Sequence, residues 1–129
     1  MSVGEILLEF KNQLIVFFDE LIGQFPQEGD LVVIRLFIAN QIPVEDAINI
    51  FNHKINKNDQ ELRKMVKGRN EIFFLEHNVF DTLGKQKVSH FKKLWLSGCL
   101  DEDDKKEIWN WVDAFVYLGD KYIKASTKK

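Results

Sequence analysis

The stretch LDEDDKKEIWNWVDAFVYLGDKYIK, residues 100–124, constrains the fold more than any other part of the chain. Ile108, Trp111, Val112, Phe115, Val116, Leu118 and Tyr122 recur at three- and four-residue steps, which places them along one face of an α-helix. Asp101 is the expected N-cap, because a short side-chain oxygen accepts from the free N–H groups of a first turn. Asp104 stands three residues on, where a capping-box acid belongs. The run Asp101, Glu102, Asp103, Asp104 puts negative charge at the positive end of the helix dipole, and Lys121 and Lys124 put positive charge at the other. With two Trp, one Phe and two Tyr, this helix is the expected main contributor to the core, since each aromatic buries on the order of 150–250 Å². A glycine inside a helix costs roughly 1 kcal/mol relative to alanine, so Gly119 is expected where a neighbouring helix comes close. Trp109 lies off the centre of the stripe and is the candidate aromatic contact for a partner protein.

A second long helix is predicted from Val3 to Gln24. Ser2 caps it, with Glu5 three positions on. Leu7, Phe10, Leu14, Phe17 and Leu21 form a seam, and Ile6, Phe18, Ile22 and Phe25 widen it to bundle width. Phe25-Pro26 ends it, because the residue before proline is pushed out of helical geometry. Asp30 then caps LVVIRLFIANQ, which is nearly all apolar apart from Arg35 and is expected to be a buried central helix. Pro43 opens a helix burying Val44, Ala47, Ile48, Phe51 and Ile55. Asn56 to Asn58 are expected to interrupt it before a short basic helix from Asp59 to Lys67, closed by Gly68. Further short helices are predicted over 70–80 and 85–95. The fold class is therefore all-α: a compact single-domain bundle of about six helices over 1–124, with a short basic tail at 125–129.

One cysteine, Cys99, excludes an intramolecular disulfide, and a reducing intracellular setting is expected. Glu5 and Glu9 interrupt the first apolar stretch, which argues against a secretory leader. No uncharged apolar run reaches the length of about 18 residues that a membrane span needs. His53, His77 and His90 show no i, i+4 pair and no HExxH pattern, so no metal and no cofactor are expected. The segment GKQK at 84–87 lacks the other residues of a phosphate loop, and GxSxG is absent. Adjacent acids such as Asp19/Glu20 and Glu45/Asp46 point roughly 100° apart on a helix, a poor arrangement for acid–base work. The expectation is no enzyme and no catalytic residues.

Charge is uneven along the chain. Residues 1–53 carry a net −6, residues 54–100 a net +5 and residues 101–129 a net −1. The basic middle contains Lys54, Lys57, Arg63, Lys64, Lys67 and Arg69, then Lys85, Lys87, Lys92 and Lys93. Packed side by side, the two stretches form one positive face of the kind that binds phosphates. Asp59 and Glu61 interrupt it, and no stacking platform is evident in it. Three readings of this face stay open: a solvated surface, a dock for an acidic protein, and a nucleic-acid contact.

Two segments carry a resemblance. FKNQLIVFFDELIGQFPQEGDLVVIRLFIANQIPVEDAINIF (10–51) and the pieces RNEIFFLEHNVF, KVSHFKKLW and LDEDDKKEIWNWVDAFVYLGDKY within 69–122 resemble small proteins encoded by nucleocytoplasmic large DNA viruses, the giant viruses of algae and protists. QFPQEGDL, QIPVED and RNEIFFLEHNVF are its most specific parts. The resemblance implies a viral setting, in the host cytoplasm, the viral factory or the virion, and transfers no activity and no site residues. WNWVDAFVYLG (109–119) is also similar to a C-terminal motif of the Bcl apoptosis regulators, whose central Asn-Trp-Gly-Arg signature is missing here. The function expected is a non-catalytic viral protein–protein interaction or a structural role in the virion. Nucleic-acid association and host-directed regulation are the alternatives.

Overall fold

A computed structural model describes residues 2–27, 29–41, 43–71, 96, 98 and 100–127. The chain is all-α. Among the described residues four long helices run α1 (Val3–Gln24), α2 (Gly29–Asn40), α3 (Val44–Lys67) and α4 (Glu102–Thr127), and there is no strand. The helices predicted over 70–80 and 85–95 lie outside the described residues.

Both long end helices start as their sequences predict. Ser2 and Glu5 form a reciprocal capping box on α1: the Glu5 N–H donates to Ser2 Oγ at 3.2 Å, and the Ser2 N–H donates to Glu5 Oε1 at 3.5 Å. The same device opens α4, where the Asp104 N–H donates to Asp101 Oδ1 at 2.7 Å and the Asp101 N–H to Asp104 Oδ2 at 3.2 Å.

The core lies where α1, α3 and α4 meet. Phe115 of α4 stands at its centre, with ring centroids 5.8 Å from Phe10, 5.7 Å from Phe17, 6.4 Å from Phe51 and 6.2 Å from Trp111. Most of these rings meet edge to face, the arrangement their quadrupoles favour. Ile6, Ile48, Ile55 and Val112 fill the space between.

Two expectations need correction. The interruption expected at Asn56–Asn58 is absent, and α3 continues to Lys67 as one helix. Ile55 and Leu62 are both buried and seven residues apart, so tertiary packing carries the helix across residues of poor helical propensity. Its irregularity sits instead at Gln60, whose φ is 64°. The second correction concerns α2, which is not a buried central helix. Among the described helices its one substantial neighbour is α1. Leu31 and Ile38 face inward, while Val32, Val33 and Leu36 keep 39%, 46% and 50% of their surface exposed. An apolar run without a polar stripe does not indicate how many of its faces find a partner.

Candidate interaction surfaces

The basic middle divides on folding. Lys85, Lys87, Lys92 and Lys93 lie outside the described residues, as does the Lys57 side chain. Lys54 is half-buried on α3, and Lys64 and Lys67 are exposed in its last turn. Arg63 and Arg69 turn towards α4. The Arg63 guanidinium donates to Asp120 through Nη1–Oδ2 at 2.9 Å and Nη2–Oδ1 at 2.8 Å, and to Asn56 Oδ1 at 3.0 Å. Arg69 grips Asp113 in the same two-pronged way, at 2.9 and 2.6 Å. Donating to these aspartates holds both guanidiniums above their ordinary pKa, against partial desolvation. Arg63 Nε is buried without a partner, which offsets part of the gain. A third pair, Lys105 Nζ to Glu71 Oε1 at 3.2 Å, ties the residues after α3 to the start of α4. Two of the predicted face's arginines thus hold helices together. The acids of α4 are the residues that sequence reasoning missed as their partners, although Asp113 and Asp120, seven apart on one helical face, were a visible signal.

Arg69 reaches its place through an unusual helix end. The Arg69 N–H donates to Val66 O at 3.2 Å and the Asn70 N–H to Met65 O at 2.9 Å. These bonds make a Schellman motif, whose left-handed position usually belongs to glycine. Here Gly68 stands one residue too early, at φ −84°, and Arg69 takes the left-handed conformation at φ 53°.

Trp109 is not an exposed contact. It is buried at 5% exposure, and the Arg69 guanidinium lies 5.6 Å over its ring. Trp109, Val112 and Gly119 follow the side of α4 that faces α3, so the buried arc of α4 is wider than one stripe. The exposed aromatic of α4 is Tyr117, at 58%, with Lys121 Nζ 4.6 Å over its ring.

The α3–α4 seam depends on Gly119. Asn52, the one buried polar residue among the described ones, donates its Nδ2 to Gly119 O at 3.2 Å. A Cβ on Gly119 would collide with Asn52 Oδ1. The close helix approach expected of this glycine is present.

On the opposite side of α4, Phe17, Glu20, Leu21 and Gln24 of α1 and Asp104, Glu107, Ile108 and Trp111 line a cleft of about 230 Å³ that includes open solvent. Its enclosed part is about 20 Å³, room for roughly one water molecule rather than a ligand. Most of its polar groups already pair with one another: Trp111 Nε1 donates to Glu20 at 3.0 Å and Gln24 Nε2 to Asp104 at 3.2 Å. Among the described residues no group of three or more His, Cys, Asp or Glu is placed to hold a metal ion, and no helix is long and apolar enough to cross a membrane. Set against known protein families, curated proteins and solved structures, the chain matches none.

Proposed function

We propose that this chain is a non-catalytic protein–protein interaction module, a virion component or partner-binding protein of a large DNA virus, and that it docks through the outer face of α2. The observation that carries the reading is the exposed row Gly29, Val32, Val33, Leu36 and Asn40. These residues follow helical spacing, and none of them is charged. Apolar surface left in water forgoes about 25 cal/mol per Å² that a covering partner recovers. The chemistry that fits is another apolar helix face, laid along a helix of twelve residues. The viral setting rests on the resemblance carried by residues 10–51 and 69–122. The nucleic-acid reading has less behind it, because Arg63 and Arg69 are engaged by Asp120 and Asp113.

The test is a photoreactive residue at Val32, with a control at Lys64, illuminated during infection. Crosslinks to a defined protein from Val32 but not from Lys64, lost when Val33 and Leu36 are both changed to Asp, support the reading. Purified particles probed for the chain then separate a virion component from a host-directed protein. Absence of any crosslink from Val32, together with salt-dependent retention on duplex DNA that Lys64→Glu and Lys67→Glu abolish, overturns it in favour of phosphate binding.

A further inference from the structure

The far end of α3 combines three features that an ordinary helix lacks. It begins at a non-glycine residue in the left-handed region, Gln60 at φ 64°, and ends at a second, Arg69 at φ 53°. Such conformations persist only where the surroundings enforce them. Among the described residues, ion pairs flank this segment along α4. Arg63 binds Asp120, Arg69 binds Asp113, and Glu71 binds Lys105, in antiparallel order along α4. Among the described residues its apolar anchorage is modest, with Met65 half-buried against the core. Leu62 and Val66 are the buried side chains of residues 61–71, whereas Ile48, Phe51, Asn52 and Ile55 anchor the preceding turns of α3. One guanidinium spans the boundary: Arg63 donates both to Asn56, before Gln60, and to Asp120.

We propose that residues 61–71 form a strap, hinged at Gln60 and latched by ion pairs to α4, which opens at raised ionic strength while residues 44–56 stay folded. Opening withdraws Arg69 from the Trp109 ring and uncovers Leu62, Val66 and the part of α4 beneath them. The strap is thus a built-in cover over a second apolar surface, and its action does not depend on what docks on α2. The direction of control follows from its construction. Bidentate pairs whose members are 25–48% exposed weaken as salt screens them, and the buried aromatic core does not. Segments with few apolar contacts open before the global unfolding transition.

Hydrogen exchange of the full chain, resolved by segment across a salt series, tests this. Exchange in 61–69 should accelerate with salt while 44–56 remains protected. In the double variant Asp113→Asn/Asp120→Asn it should be roughly tenfold faster at low salt and nearly salt-independent. A second comparison keeps the proposal testable if that variant folds poorly. At a left-handed hinge Gln60→Gly is better tolerated than Gln60→Ala, so the glycine variant should exchange more slowly in 61–69. In an ordinary helix interior the order reverses. Equal exchange of the two halves of α3 under all salt conditions, or slower exchange in Gln60→Ala, overturns the strap.

Discussion

The helix α2 and the far half of α3 are both outer elements laid against a longer helix, and each carries an arginine paired to an aspartate of that helix. They are held in opposite ways. On α2 the adhesion is apolar, through Leu31 and Ile38, with the pair Arg35–Asp19 at 2.5 Å beside them. Its outer face is apolar as well. On α3 the outer positions Gln60, Glu61, Lys64 and Lys67 are polar and exposed, and charge carries much of the inner contact. The difference separates two kinds of surface. An element with aliphatic residues on both sides remains incomplete in water and calls for another partner. An element with a solvated outer face is finished, and its charges fix where it sits and how readily it lifts.

Gly119→Ala should cost the α3–α4 seam the most. The added Cβ meets Asn52 Oδ1 on the α3–α4 seam. Forcing a methyl into a packed contact costs about 1–3 kcal/mol, so the urea midpoint should fall with an unchanged slope. In an Asn52→Ala background the obstacle is gone, and the penalty should shrink by a coupling of about 0.5–3 kcal/mol. Equal penalties in both backgrounds would mean that Asn52 is not what requires the glycine.

Much of this seam was readable in advance, and the reason is instructive. Gly119 inside a strongly amphipathic helix has a cost that only a close approach explains, and both capping boxes are local patterns three residues wide. What depends on distant partners was not legible. Arg63 and Arg69 look like a basic surface until α4 brings Asp120 and Asp113 against them. Trp109 looks peripheral to a stripe defined by α1 alone, and becomes buried because α4 has a neighbour on a second side. The exposure of Val32, Val33 and Leu36 was hidden because an all-apolar helix carries no record of which side meets water. The continuity of α3 has the same origin: Asn56–Asn58 signal an interruption locally, and buried Ile55 and Leu62 override it.

A direct comparison of the two latches comes next in size. Methionine retains the stem packing of arginine and removes its charge. Arg63→Met removes a two-pronged pair and a bridge to Asn56, from a side chain 25% exposed. It should cost about 1 kcal/mol, the upper end for such pairs. Arg35→Met removes a pair whose members are 33% and 49% exposed, and should cost less than about 0.5 kcal/mol. Thermal midpoints at low and high salt check this, with the gap between the two variants narrowing as salt rises. A larger loss from Arg35→Met would place charge, rather than apolar contact, at the root of the α2 attachment.

The smallest effect separates the two regions by pH. Tyr122 of α4 is buried, and its hydroxyl donates to Glu45 Oε1 of α3 at 3.5 Å. Burial first, and then the Glu45 charge, raise its pKa above 10.0, with a hydrogen bond to Asn49 pulling the other way. The sign follows from proton counting. Above pH ~10 the unfolded phenol has released its proton while the folded one still holds it, so stability falls as pH rises. The contribution is complete below that point and is lost as pH climbs through the folded pKa. Tyr122→Phe removes this titration, so its stability should decline less between pH ~9 and ~11 than that of the parent chain. Tyr122 joins α4 to the first turns of α3, so alkaline loosening should begin at this seam, with α2 retaining its protection on α1. Parallel stability curves for the two proteins would show that the phenol titrates alike folded and unfolded. Earlier alkaline exchange in α2 would mean that its apolar attachment, not the polar seam, is the weaker of the two.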